Sequence, residues 1–146
     1  MAYKFERLEV WQLSVEYADL IYAIAEKLPP SEAYNLRSQI TRAATSIALN
    51  IAEGSTTQSD AEQARFLGIA LRSLIETVAC QHLIERRNYL TDLPLLRQAY
   101  TFSETLFAKL QAFRTAIRPR TLRDEAVTYV LDNEGPSNDN PFGSAD

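Results

Sequence analysis

The chain has 146 residues, 46% apolar and 23% charged, with four Gly, six Pro, one Cys and one His. That composition fits one soluble domain and a cytoplasmic setting. A single Cys80 excludes an internal disulfide, and a single His82 excludes a two-His metal site, so disulfide scaffolds and most zinc chemistry drop out. The formal charge of −4 argues against a generally basic surface, but it is unevenly placed: residues 1–117 carry 12 basic and 13 acidic side chains, residues 118–146 carry 3 and 6.

Four long segments have helical periodicity, and strand-like alternation is absent. The first, about residues 8–28, carries two apolar stripes: Leu8, Trp11, Val15, Ala18, Tyr22 and Ala25 on one, and Val10, Tyr17, Ile21, Ile24 and Leu28 on the other. At about 100° per residue the stripes lie roughly 115° apart. One packing seam needs only one of them, so the helix has apolar surface to offer a partner. Pro29 and Pro30 stop it.

The second helix begins at Ser31 or Asn35 and runs to Ala52, with Leu36, Ile40, Ala43, Ala44, Ile47 and Ile51 inward. Gly54 stands where a left-handed C-cap is expected. Ser59 and Glu62 form a capping box that opens the third helix, which runs to about Arg87 with Phe66, Leu67, Ala70, Leu71, Leu74 and Val78 inward. Thr91 or Asp92 caps the fourth, and Pro94 falls in its first turn. Its main stripe is Leu95, Ala99, Phe102, Leu106, Leu110, Phe113 and Ile117, flanked by Leu96, Tyr100 and Phe107.

Helices of this length with short connections predict an all-α fold, an antiparallel up-down-up-down four-helix bundle over residues 1–117. Residues 118–146 read as a flexible tail that buries almost nothing, with one dockable apolar stretch at residues 122–131. Uninterrupted apolar runs such as residues 21–25 are far short of the roughly 20 residues a bilayer-spanning helix needs, so no membrane association is expected. Residues 1–11 contain no apolar core of a secretory signal.

No phosphate loop, metalloprotease motif, nucleophile elbow or Cys-x-x-Cys pair is present, so the chain reads as a non-enzyme without cofactor or metal. His82 reads as a partly buried bundle residue and Cys80 as a packed or semi-exposed thiol. The candidate nucleic-acid contacts are arginines. Arg65, Arg72 and Arg86 recur at multiples of seven along the third helix, and Arg114, Arg118, Arg120 and Arg123 cluster where the fourth gives way to the tail. The alternative for the first set is a solvated face with Arg65 and Arg72 paired to Glu62 and Glu76. For the second it is simple complementation of a helix dipole.

The candidate subunit interface comprises Val10, Tyr17, Ile21 and Ile24 on the first helix, Arg42 and Glu53 on the second, and Leu96, Tyr100 and Phe107 on the fourth. Glu53, an acid in a last helical turn, works against the helix dipole and is expected to have a cationic partner, from the third helix or from a neighbouring chain.

Phe5-x-x-Leu8-x-Val10-Trp11, the run from Ser38 to Ile47 leading into Asn50-Ile51-Ala52-Glu53-Gly54-Ser55, Arg65-Phe66-Leu67-x-Ile69-Ala70 and Tyr89-Leu90 resemble the small bundle proteins encoded within intervening sequences of bacterial large-subunit ribosomal RNA genes. The resemblance spans about residues 4–117. It implies a homopentamer, and kinship with the accessory variability determinant of diversity-generating retroelements, whose basic barrel binds nucleic acid and reverse transcriptase. Thr41, Ala48 and Arg72 depart from the family's usual residues. The resulting expectation is a homo-oligomeric accessory protein that binds RNA or DNA, with reverse transcriptase or another protein as a possible partner. The alternative is a protein-interaction scaffold without nucleic-acid binding.

Overall fold

A computed structural model describes residues 2–117 and 140–143. All regular structure among these residues is helical: α1 (Glu9–Glu26), α2 (Leu36–Gly54), α3 (Asp60–Arg86) and α4 (Leu93–Ile117), with short 3-10 turns at Lys4–Arg7 and Pro30–Glu32. Contacts at both ends fix the direction of the outer pair, since Glu9 meets Lys109 at 2.9 Å and Lys27 meets Asp92 at 3.7 Å. α1 and α4 are therefore antiparallel. Ser46 meets Ser73 where α2 passes α3, and Arg114 near the end of α4 reaches Ala64 near the start of α3. The residues expected at positions 118, 120, 123 and 122–131 lie outside the described set.

The rotation of α1 about its own axis decides which of its two apolar stripes is core. Val10, Tyr17, Ile21 and Ile24 are all 7% exposed or less, whereas Val15 and Tyr22 are exposed. The inward stripe carries a hydroxyl that must be satisfied. Gln81 Nε2 donates to Tyr17 Oη at 2.9 Å, Tyr17 Oη lies 2.7 Å from Thr77 Oγ1, and Thr77 Oγ1 donates to the Leu74 carbonyl. This chain joins α1 to α3 across the centre of the bundle, with the Tyr17 ring against Phe102 of α4. Burial pushes the Tyr17 hydroxyl well above its ordinary range, so it stays protonated and able to donate. Gln81 Oε1 is left without a partner, the one such buried side-chain atom among the described residues.

Four expected interface residues on α1 are thus core, and so is Leu96 on α4, which is fully buried beside Leu106 and Leu110. Their assignment to an interface is corrected by the bundle's own geometry. Tyr100 and Phe107 are half-buried.

Caps differ in detail from the sequence expectation. Ser59 accepts from the Glu62 amide and Asp92 from the Leu95 amide, as their positions predict. Asn35 precedes α2 but does not cap it; the Glu32 carboxylate takes the Leu36 amide at 3.2 Å instead, and Asn35 donates to Glu32. Gly54 is the last residue of α2 rather than a left-handed cap. A Cβ there would stand 2.9 Å from Phe66 Cβ, so glycine is needed for the close approach of α2 to α3. Ser55, Thr56 and Thr57 each turn a hydroxyl back to the carbonyl three residues earlier.

Glu32 also accepts from the Tyr89 hydroxyl at 2.9 Å, tying the α1–α2 connection to the α3–α4 connection. Arg37 closes the same end of the bundle by donating to the Ala25 and Leu28 carbonyls. α3 is long and apolar enough to cross a membrane by composition, but 56% of its most apolar window is buried inside the bundle, as in a soluble core helix.

Two outcomes follow from this interior. Tyr17→Phe removes the middle of the Gln81–Tyr17–Thr77 chain and is expected to destabilise by about 1–3 kcal/mol in chemical denaturation. The Leu36 amide, then the Tyr89 hydroxyl, hold the Glu32 carboxyl below its ordinary range. A depressed carboxyl pKa contributes stability at neutral pH that disappears as pH falls through the folded-state value. The melting temperature of Glu32→Gln should therefore lie below the wild type's at pH 7, and the gap should close in acid.

Candidate nucleic-acid and subunit interface

α3 turns Arg65, Arg72 and Arg86 to solvent. With 1.5 Å of rise per residue they are spaced about 10 and 21 Å apart along the helix. Arg65 is partly engaged: it pairs with Glu62 at 3.9 Å and stacks over the Phe66 ring at 4.7 Å. Arg72 and Arg86 make no ion pair among the described residues, and the expected Arg72–Glu76 bridge does not form. Both are therefore better placed than Arg65 to meet an anion.

Arg114 has a different task. Its guanidinium lies on α3 where Gly68 leaves room, and a Cβ at Gly68 would come within 3.0 Å of Nη2. Its Nε donates to the Ala64 carbonyl at 3.2 Å. The side chain is half-buried and clamps the end of α4 to the start of α3, which gives it a packing role. Gly68 was the available signal: a glycine in mid-helix costs about 1 kcal/mol relative to alanine and marks a close approach.

Tyr22 on the outward side of α1 and the outer side of α2 form a surface concavity. Tyr22, Thr41, Arg42, Thr45, Ser46, Leu49, Asn50 and Glu53 line a groove of about 380 Å³. Tyr22 and Leu49 are 47% and 54% exposed, and the Tyr22 hydroxyl meets Thr45 at 3.1 Å. Arg42 and Glu53 stand three helical turns apart on this face, and neither has an ion-pair partner among the described residues. The intramolecular cation expected for Glu53 is therefore not found there. The three hydroxyls that follow α2 already satisfy the carbonyls at its negative end, which lessens the dipole's demand for a cation.

Other chemistry-bearing residues are inert or exposed. Cys80 is buried, and desolvation raises its thiol pKa, which disfavours the reactive thiolate. His82 is exposed rather than partly buried in the bundle, with its ring against Tyr100 and Phe142.

The two kinds of arginine separate by stability. Arg114→Ala should cost about 1–3 kcal/mol, because it removes a charge-assisted bond and the packing over Gly68. Arg72→Ala should change stability by less than about 0.5 kcal/mol. Parallel urea titrations measure both.

No curated protein matches this chain. The model of the 23S rRNA-intervening sequence protein family matches residues 6–110, from the first 3-10 turn through most of α4. That span is well over half of the sequence and includes the α1–α2 groove and the α3 arginines, and the chain belongs to the 23S rRNA-intervening sequence protein family.

Proposed function

We propose that this protein is a non-enzymatic, homo-oligomeric accessory protein that binds structured RNA through arginines repeated around a ring. The observation that carries the reading is the α1–α2 groove, where exposed Tyr22 and Leu49 lie between Arg42 and Glu53. An apolar strip bracketed by opposite, unpaired charges is the form of a surface that another protein covers. Closed rings are built from heterologous contacts, in which one patch meets a different patch on the next copy. α3 supplies a second exposed apolar pair, Ile75 and Leu83, on a different helix from the groove. A pentamer is the assembly that the family resemblance implies.

A ring would repeat Arg65, Arg72 and Arg86 in each subunit, turning weak phosphate contacts into a multivalent surface. Arg118, Arg120 and Arg123 would add to this set from beyond α4. The nearly balanced charge of residues 1–117 makes single-subunit binding weak and leaves affinity to repetition.

Native mass measurement at micromolar concentration should give a closed oligomer, and Leu49→Asp should shift it to monomer with helical circular dichroism retained. A monomeric wild type would reject the ring. Binding of the oligomer to structured RNA should weaken steeply as salt rises. Absence of binding at low salt, with the oligomer intact, would favour a protein-interaction scaffold instead.

A further inference from the structure

The four residues Asn140–Gly143 return to the bundle and dock on the outer side of α3 and α4, where Phe142 is only 6% exposed. This departs from the expectation that the tail buries almost nothing. The contact uses each residue differently. Asn140 Nδ2 donates to the Arg97 carbonyl at 3.2 Å and lies 3.4 Å from Thr101 Oγ1. Its Oδ1 accepts from the Phe142 amide and its carbonyl from the Gly143 amide, so one residue both shapes the turn and reads α4. Pro141 occupies the second position of this turn, where its fixed φ is favourable.

The Phe142 ring sits 5.6 Å edge-on from Tyr100 and 5.0 Å from His82. Its carbonyl accepts from Arg97 Nη1 at 3.3 Å. Gly143 has φ +99°, and a Cβ there would approach Arg97 Nη1 to 3.0 Å. The backbone conformation is thus what favours glycine here. A shelf that engages Asn140, Phe142 and Gly143, each in a different way, has the character of a recognition site.

We propose that the shelf formed by His82, Arg97, Tyr100 and Thr101 is a peptide-binding site for an Asn-Pro-Phe-Gly turn, and that the chain's own tail is its resident ligand. Chain length supports return within one molecule. Twenty-two residues separate Ile117 from Asn140, and at up to about 3.3–3.6 Å per residue that length can reach well beyond 30 Å. The distance back along α4 from Ile117 to Thr101 or Arg97 is about 24–30 Å. The tether is long enough for return within one molecule, which gives the tail an effective concentration in the millimolar range. A free peptide or another protein bearing the same turn would compete with the tail for the shelf.

The single histidine gives the chain one imidazole signal, and that ring lies on the shelf. Phe142→Ala in the 146-residue chain should shift the His82 proton resonances through loss of the Phe142 ring current. A synthetic peptide of residues 137–146 should then restore them saturably, with a Kd at or below about 1 mM. The same peptide carrying alanine for phenylalanine should do nothing. His82 resonances unmoved by Phe142→Ala, or a variant that retains helical circular dichroism yet ignores the intact peptide, would overturn the proposal. The readout is independent of oligomeric state and of RNA binding, so its failure and theirs are distinguishable.

Discussion

The buried hydroxyl of Tyr17 determines how this molecule meets its surroundings. A phenol at the centre of a bundle costs free energy unless both its donor and acceptor functions are used. α3 provides for both, with Gln81 donating and Thr77 accepting from residues one helical turn apart. This pairing fixes the rotation of α1. Once Tyr17 faces Thr77 and Gln81, Val10, Ile21 and Ile24 follow it inward, and Val15 and Tyr22 are turned to solvent. An apolar outer face is therefore a consequence of satisfying one polar atom inside.

That face acquires direction from charge. α2 contributes Leu49 to it, with Arg42 and Glu53 on either side. The carbonyls at the end of α2 are occupied by Ser55, Thr56 and Thr57, so Glu53 is not needed to hold its own helix together. The charge remains available for contact with another molecule. α3 differs, because its arginines divide the work: Arg65 stacks on Phe66 and pairs with Glu62, while Arg72 and Arg86 make no ion pair among the described residues. Arg114 is held against α3 by the space at Gly68. Arginine count in the sequence thus overstates the number of guanidinium groups available to a ligand.

The helix order, the breaks at Pro29-Pro30 and the caps at Ser59 and Asp92 were legible because each depends on local chemistry within a turn or two. The inward stripe of α1 was not legible, since both stripes are apolar and only a partner 60 residues away distinguishes them. Thr77 and Gln81, two hydrogen-bonding residues at i and i+4 on the buried side of α3, were the overlooked signal. Glu32 was overlooked for the opposite reason. An acid beside two prolines reads as loop, and its role emerges only when Tyr89 of the other connection arrives at the same end. Gly54 was placed correctly at a helix end, but its reason is the Phe66 side chain rather than a left-handed backbone.

The tail shows how far a polar composition can mislead. Low apolar content makes a segment unable to build a core of its own, but it does not prevent a few residues from completing someone else's. Phe142 needs only Tyr100, His82 and the stem of α4 to be buried, and Asn140 satisfies its own turn before it reaches the helix. Short turns of this kind are pre-shaped by Asn, Pro and Gly and lose little further freedom on docking. Four residues thus cover part of the α3–α4 surface and leave the α1–α2 groove open, so the two sides of the bundle differ in what they offer another molecule.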